Sequence, residues 1–252
     1  MSNSQSSSPE VVPPEIPDPR LEEAIHSTSP EVLAAAASNA ALNEGLALTL
    51  LKRGDLLGEV LERLSKNSAA MKSRKVKLAL VEHPKTPRHV SLPMVRHLFT
   101  FDLMRIALTP AVPSDVKTAA DAALCNRAET IASGERLTLA HRASGRVAAE
   151  LLSDSEPRVV HAALENPRIT EGHIVKAVMR SDATPVLVHA VCQHVKWSLR
   201  REVRIALLRN QHTPMARAFD FARSLPVAVV RDILHGSHLP ANIKEYLLKG
   251  LN

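Results

Sequence analysis

The sequence is short of aromatic residues, glycine and cysteine, and each shortage excludes something. Six of the 252 residues are aromatic: Trp197, Tyr246 and four Phe. The core must therefore be Ala, Leu and Val packed at close range, which suits helices that approach through small side chains. There are eight Gly, and long β-branched alternating runs bounded by turn residues are missing. Both features argue against a sandwich or a doubly wound sheet. The two cysteines, Cys125 and Cys192, lie in apolar helical patterns without a CxxC partner and read as reduced core thiols of a cytosolic protein. No run of about 18 apolar residues exists to span a membrane, and the first residues, MSNSQSSSPEVVPPEIPDP, lack the basic and apolar regions of a secretory signal. A cytoplasmic protein with no membrane partner is expected. P-loop, GxGxxG, GxSxG and HExxH motifs are all missing, so neither a cofactor nor a catalytic site is expected.

What is present begins with charge. The formal net charge is +6 and the pI about 9.6, unevenly placed. Residues 1–23 carry one basic and five acidic side chains, residues 24–135 carry 14 and 11, and residues 136–252 carry 17 and 10. A basic C-terminal half suits nucleic acid or another anionic partner, although solvated Arg and Lys faces on helices are also common.

Residues 1–20 are rich in Ser and Pro and read as a disordered acidic tail. Ser29-Pro30-Glu31 supplies an N-cap and an N1 proline for a helix over 32–41. Arg53-Gly54-Asp55 falls between two short helices. Gly54 suits a helix C′ position and Asp55 an N-cap for 56–64, which explains the RGD letters without cell adhesion.

The strongest signal is a repeat. VKLALVEHPKTP (76–87) lies without gaps on VRIALLRNQHTP (203–214) and VVHAALENPRIT (159–170), and shorter copies occur at 104–113 and 230–240. Pro87 to Pro113 is 26 residues, Pro113 to Thr170 is 57, Thr170 to Pro214 is 44, and Pro214 to Pro240 is 26. Each longer gap should hold two units, with degenerate copies near 140–147 and 190–197. Units of this size built from paired short helices mean a stacked array. Ala and Leu columns should face the stack, Asn or His should end the first helix by tolerating turn geometry, and Thr should cap the second helix with Pro in its first turn.

The pattern VRxALxxNxxTP, carried by these copies over about 70–250, resembles leucine-rich-repeat-variant and HEAT-like α-solenoid repeats. The resemblance implies an all-α, right-handed α-solenoid of short paired helices, here a single domain over 21–252, and is almost uninformative about function. Iron–sulfur members of the variant family have a cysteine cluster ahead of the repeats; this chain does not.

Two basic columns emerge from the alignment. Lys77, Arg105, Arg204 and Arg231 share one position of the first helix, and Lys85, Arg168, His212 and His238 share one position of the turn. Stacked, they would form ridges suited to phosphate backbones or acidic surfaces. The alternative is that the Arg stems cover apolar surface with their heads in water. VKWSLRREVR places Arg200, Arg201 and Arg204 beside Trp197, the only tryptophan. HEAT-like DNA glycosylases trap a nucleotide with aromatics on a basic face, but several aromatics serve there, and a core or capping role suits a lone Trp. Twelve histidines offer no His-Glu dipeptide, and neither Cys192-Gln193-His194 nor His235 with His238 reaches three metal ligands. The expected function is a non-enzymatic protein-interaction scaffold or adaptor; the alternative is a sequence-independent nucleic-acid-binding module using the basic ridges.

Overall fold

The computed structural model describes residues 19–250. Residues 1–18 of the expected tail lie outside the described residues, and Pro19 and Arg20 already belong to the first helix. The chain divides into two compact units, Met1–Met94 and Val95–Asn252. All regular secondary structure among the described residues is helical.

The first unit holds α1 (Pro19–Ile25), α2 (Pro30–Ser38), α3 (Glu44–Leu51), α4 (Gly58–Lys66), a 3-10 turn (Ala70–Lys72), α5 (Arg74–Glu82) and α6 (Arg88–Val95), the last residue of which crosses the division. Next-but-one packing joins α1 to α3, α2 to α4 and α3 to α5. Leucines spaced three and four apart, such as Leu46 and Leu50 or Leu61 and Leu64, supply the apolar stripe that makes this possible. In α2 the stripe is Leu33, Ala34, Ala36 and Ala37, so a neighbour can approach closely. That helix starts as expected after Ser29-Pro30 but stops at Ser38, before Ala41, and the Ser29 hydroxyl makes no cap bond.

The RGD segment differs more. Asp55 caps no helix: α4 begins at Gly58, with Leu57 at its N-cap, and Gly54 has no positive φ. Instead Arg53 Nη1 donates to the carbonyls of Ile25 and Ser27, at 2.8 Å each, and its other two nitrogens fork onto Asp55 at 3.0 and 2.7 Å. The end of α1 leaves carbonyls without intrahelical donors, and Arg53 satisfies two backbone oxygens there.

The second unit holds α7 (Thr100–Leu108), α8 (Ser114–Arg127), α9 (Ser133–Arg142), α10 (Gly145–Glu150) running into a 3-10 turn (Leu151–Ser153), α11 (Pro157–Leu164), α12 (Glu171–Val178), α13 (Pro185–Gln193), α14 (Arg201–Arg209), α15 (Met215–Arg223), α16 (Val227–His235) and α17 (Ala241–Gly250). The same next-but-one packing joins α8 to α10, α9 to α11, α10 to α12, α11 to α13, α12 to α14, α14 to α16 and α15 to α17. Gly134 and Gly145 lie in the first turns of α9 and α10. A Cβ on Gly145 would collide with the Arg168 carbonyl oxygen and stand 2.9 Å from His173 Cε1, so only glycine fits that approach.

The two longer gaps resolve differently. Between Pro113 and Thr170 lie four helices, α8 to α11, as two units require. Between Thr170 and Pro214 lie only α12, α13 and α14. The expected second copy is one helix short: α13 is followed directly by the turn at residues 194–200 and then α14. Trp197 occupies that turn and is 2% exposed, its Nε1 donating to Leu164 O at 2.9 Å. A large buried indole takes part of the volume that a second helix would fill.

The aligned Val and Leu columns are buried. Val76, Val159, Val203 and Val230 are fully buried, as are Leu80 and Leu207, with Leu164 nearly so. In the copy at 104–113 burial moves to Ile106, while Ala107 and Leu108 are half-buried.

Two expected polar roles are corrected. Thr86 and Thr213 do not cap the helix that follows. Each is buried and donates its hydroxyl backwards, to Leu80 O and Leu207 O respectively, both at 2.6 Å. Pro214 itself is the N-cap of α15. Thr170 and Thr184 do cap forward, accepting from His173 N and Leu187 N. Nor do Asn and His end helices through left-handed geometry, since no non-glycine residue among those described has positive φ. They act as clasps. Asn67 Nδ2 donates to Ala37 O and Asn39 O at 3.0 and 2.8 Å. His83 Nε2 bonds Arg53 O at 2.9 Å, Asn166 Nδ2 donates to Ala140 O at 2.7 Å, and Asn210 Nδ2 donates to Val178 O at 2.7 Å. Each side chain also accepts from its own turn, as Asn210 Oδ1 does from His212 N and His83 Nδ1 does from Lys85 N. One side chain thus satisfies orphan carbonyls near the end of an earlier helix and closes its own turn.

Candidate interaction surface

The clasps fix the turns rigidly, and the surface residues follow from that. In the turn at 194–200, the His194 ring accepts from Lys196 N and Trp197 N at 3.1 and 3.4 Å, and Trp197 is anchored inward. With the indole in the core, its neighbours point out: Val195 is 83% exposed and Leu199 is 65% exposed. Lys196, Arg200 and Arg201 are exposed beside them. Lys196 Nζ lies 4.1 Å from the centre of the Trp197 ring, and Arg201 Nη1 stands 3.7 Å from Glu202 Oε1. Trp197, a candidate for stacking on a ligand, is therefore withdrawn from the surface as a correction: its ring is covered by protein.

The first basic column does not form one kind of site. Lys77 is exposed on α5 in the first unit. In the second unit Arg105 is exposed on α7 and Arg231 on α16. Arg204 is half-buried, donates Nε to Ser198 O at 2.8 Å and stacks 5.9 Å from the Phe221 ring centre. Its charge serves the turn that precedes its own helix.

Other arginines absent from the columns are used the same way. Arg127 Nη1 donates to Leu98 O at 2.6 Å and Nη2 to Arg96 O. Arg217 Nη2 donates to Cys192 O at 2.6 Å, and Arg136 is gripped by Asp154 and Glu156, both at 2.7 Å. The signal that could have found them is position: Arg53 lies two residues past the end of α3 and Arg127 ends α8, where earlier carbonyls need donors.

The turn column behaves differently. Lys85 is exposed in the first unit, and Arg168 is exposed, with Nη1 3.3 Å from Arg142 O. His212 and His238, from successive copies, line one cleft of about 250 Å³ together with Arg180, Arg209, Gln211 and Met179. The cleft is held by backbone-directed bonds: Asn210 reaches Val178 O, and His238 N donates to Arg209 O at 2.9 Å. Sequence alignment put these histidines in one column, and the clasp is what brings them to one place.

A larger cavity of about 530 Å³ lies beside Cys125, Glu129, Arg136, Glu150 and Asp154. Burial first, then Glu150, pushes the Cys125 thiol up to about 11, and burial pushes Cys192 to about 11 as well. Neither is a thiolate at neutral pH, which fits the reading as core thiols. Among the described residues no group of three or more His, Cys, Asp or Glu side chains is placed to hold a metal ion, and no helix is long and apolar enough to cross a membrane. Compared with family models, curated proteins and solved structures, the chain matches none.

Proposed function

We propose that the protein is a non-enzymatic interaction scaffold or adaptor of the cytoplasm, each of its two units being a short α-solenoid of paired helices that resembles HEAT and leucine-rich-repeat-variant arrays. The next-but-one helix packing and the recurring clasps support the repeat reading, because both repeat a local contact at a sequence separation of about one unit. The observation that carries the binding reading is the turn at 194–200. Two aliphatic side chains as exposed as Val195 and Leu199 lose free energy in water, and a fixed turn presents them without further ordering cost. Lys196, Arg200 and Arg201 around them select a protein segment whose apolar residues are flanked by carboxylates.

The test is capture from native lysate with the full chain, with a chain lacking residues 1–20, and with Val195→Asp/Leu199→Asp. Stoichiometric partners lost from the aspartate variant alone support the reading; identical protein profiles for all three sink it. The rival nucleic-acid reading draws on the exposed Lys77, Lys85, Arg105, Arg168 and Arg231. Duplex or single-stranded DNA binding at about 50 mM salt that falls steeply with added salt would favour it over the scaffold.

A further inference from the structure

The cleft between the turns of α12, α14 and α16 has a composition that neither packing nor the scaffold reading requires. Its polar lining includes Arg180, Arg209, Gln211, His212 and His238, and no carboxylate lines it. Arg180 is engaged by Asp182 in a two-point fork at 2.9 and 2.8 Å, with Glu150 4.0 Å away. Arg209 is exposed, and its guanidinium has no ion-pair partner among the described residues. Gln211 Nε2 stands 3.3 Å from His212 Nε2, so amide and imidazole are already oriented towards one another at the rim. Met179, half exposed, and the buried Val178 and Ala183 form an apolar flank. The backbone on three sides is fixed by Asn210 to Val178 O, Asn210 to His212 N, and His238 N to Arg209 O.

A cleft of this size with a free guanidinium, two imidazoles and an amide matches a single tetrahedral oxyanion. The guanidinium offers a planar fork of donors, each imidazole at least one N–H, and the amide two more. The volume is too small for several nucleotides, and no Phe, Tyr or Trp ring lines it to stack a base. We infer that this cleft binds a phosphate monoester carried on a side chain of the protein partner, with Arg209 as the charged anchor and His212, His238 and Gln211 as donors. The oxyanion chemistry stands on the cleft alone; its source on a protein rests on the scaffold reading.

Four probes separate these levels on the full chain: inorganic phosphate, a short blocked phosphoserine peptide, its unphosphorylated twin, and a single-stranded oligonucleotide, each at constant ionic strength. Binding is read by shifts of the histidine resonances and by calorimetry. Inorganic phosphate should bind in about the millimolar range and the phosphopeptide about tenfold more tightly, while the unphosphorylated twin should not bind. Arg209→Gln/His238→Gln should weaken both phosphate ligands at least about tenfold while leaving the melting temperature unchanged. His212→Gln, which keeps a donor, should cost less.

Absence of any phosphate-specific shift at about 50 mM overturns the site. Phosphate binding that ignores Arg209→Gln/His238→Gln overturns its location. An oligonucleotide that displaces the phosphopeptide and binds more tightly overturns the assignment to a partner side chain. Phosphate and phosphopeptide bound as stated, with unchanged capture by Val195→Asp/Leu199→Asp, would leave the site standing and remove the scaffold reading carried by that turn.

Discussion

Two copies of one pattern, VKLALVEHPKTP at 76–87 and VRIALLRNQHTP at 203–214, sit in different units and agree in their interiors while parting at their surfaces. Val76 and Val203 are fully buried, as are Leu80 and Leu207. Thr86 and Thr213 make the same backward bond at the same 2.6 Å. His83 and Asn210, different residues, perform one task, reaching a carbonyl 30 and 32 residues earlier. Lys77 and Arg204, by contrast, are similar residues with unlike fates: one exposed, the other bonded to Ser198 O and stacked near Phe221. Aligned cations are thus poor guides to a shared surface, whereas aligned buried hydroxyls and amides are good guides to shared geometry.

The comparison can be broken at several points. The largest effects belong to the shared interior: Leu80→Ala and Leu207→Ala should each cost about 2–5 kcal/mol in urea denaturation, since each removes a fully buried side chain. A loss at one site and none at the other would end the equivalence of the copies. Next come Thr86→Val and Thr213→Val, nearly isosteric changes that remove one buried donor each. Both should cost about 1–2 kcal/mol, because each removes a buried hydroxyl bond to a carbonyl of the preceding helix.

Arg204→Met and Lys77→Met sharpen the contrast instead. The first should lose about 1 kcal/mol with its bond to Ser198 O, and the second should stay within about 0.5 kcal/mol, as a surface change does. Equal effects would mean that the column has one role after all.

The smallest effect is at the RGD clip. The Arg53 fork holds the Asp55 carboxyl down at about 2, from an ordinary 3.8. A depressed folded-state value contributes stability that is complete above the ordinary value and lost as pH falls through about 2. Thermal melts of the native chain and Asp55→Asn should therefore differ by a small constant amount above about pH 5 and converge near pH 2. A difference that grows on acidification would refute the fork as its cause.

The helical class was legible in apolar spacing and in scarce glycine, and the buried Val and Leu positions were legible in the aligned columns. The Thr-Pro and Asn letters were also visible, but their roles were read locally, as caps and turn formers. The error has a physical source: the partner of Asn166 is Ala140 O, and that of Trp197 is Leu164 O, so neither bond is local. The missing helix after α13 was hidden in a 44-residue spacing that resembled two short units. On the candidate surface, His212 and His238 were aligned correctly, whereas Arg209 and Gln211 were passed over because no column contains them.

By itself the sequence determined which residues leave water and in what period, because transfer of Val, Ala and Leu from solvent depends on the side chain and its spacing. Tertiary structure decided what the polar letters do. Helix ends leave carbonyls that some donor must meet, and which Asn, His or Arg meets them depends on a helix about one unit earlier in the chain. Only after those donors are engaged does the remaining charge, Arg209 among it, become surface available to a partner.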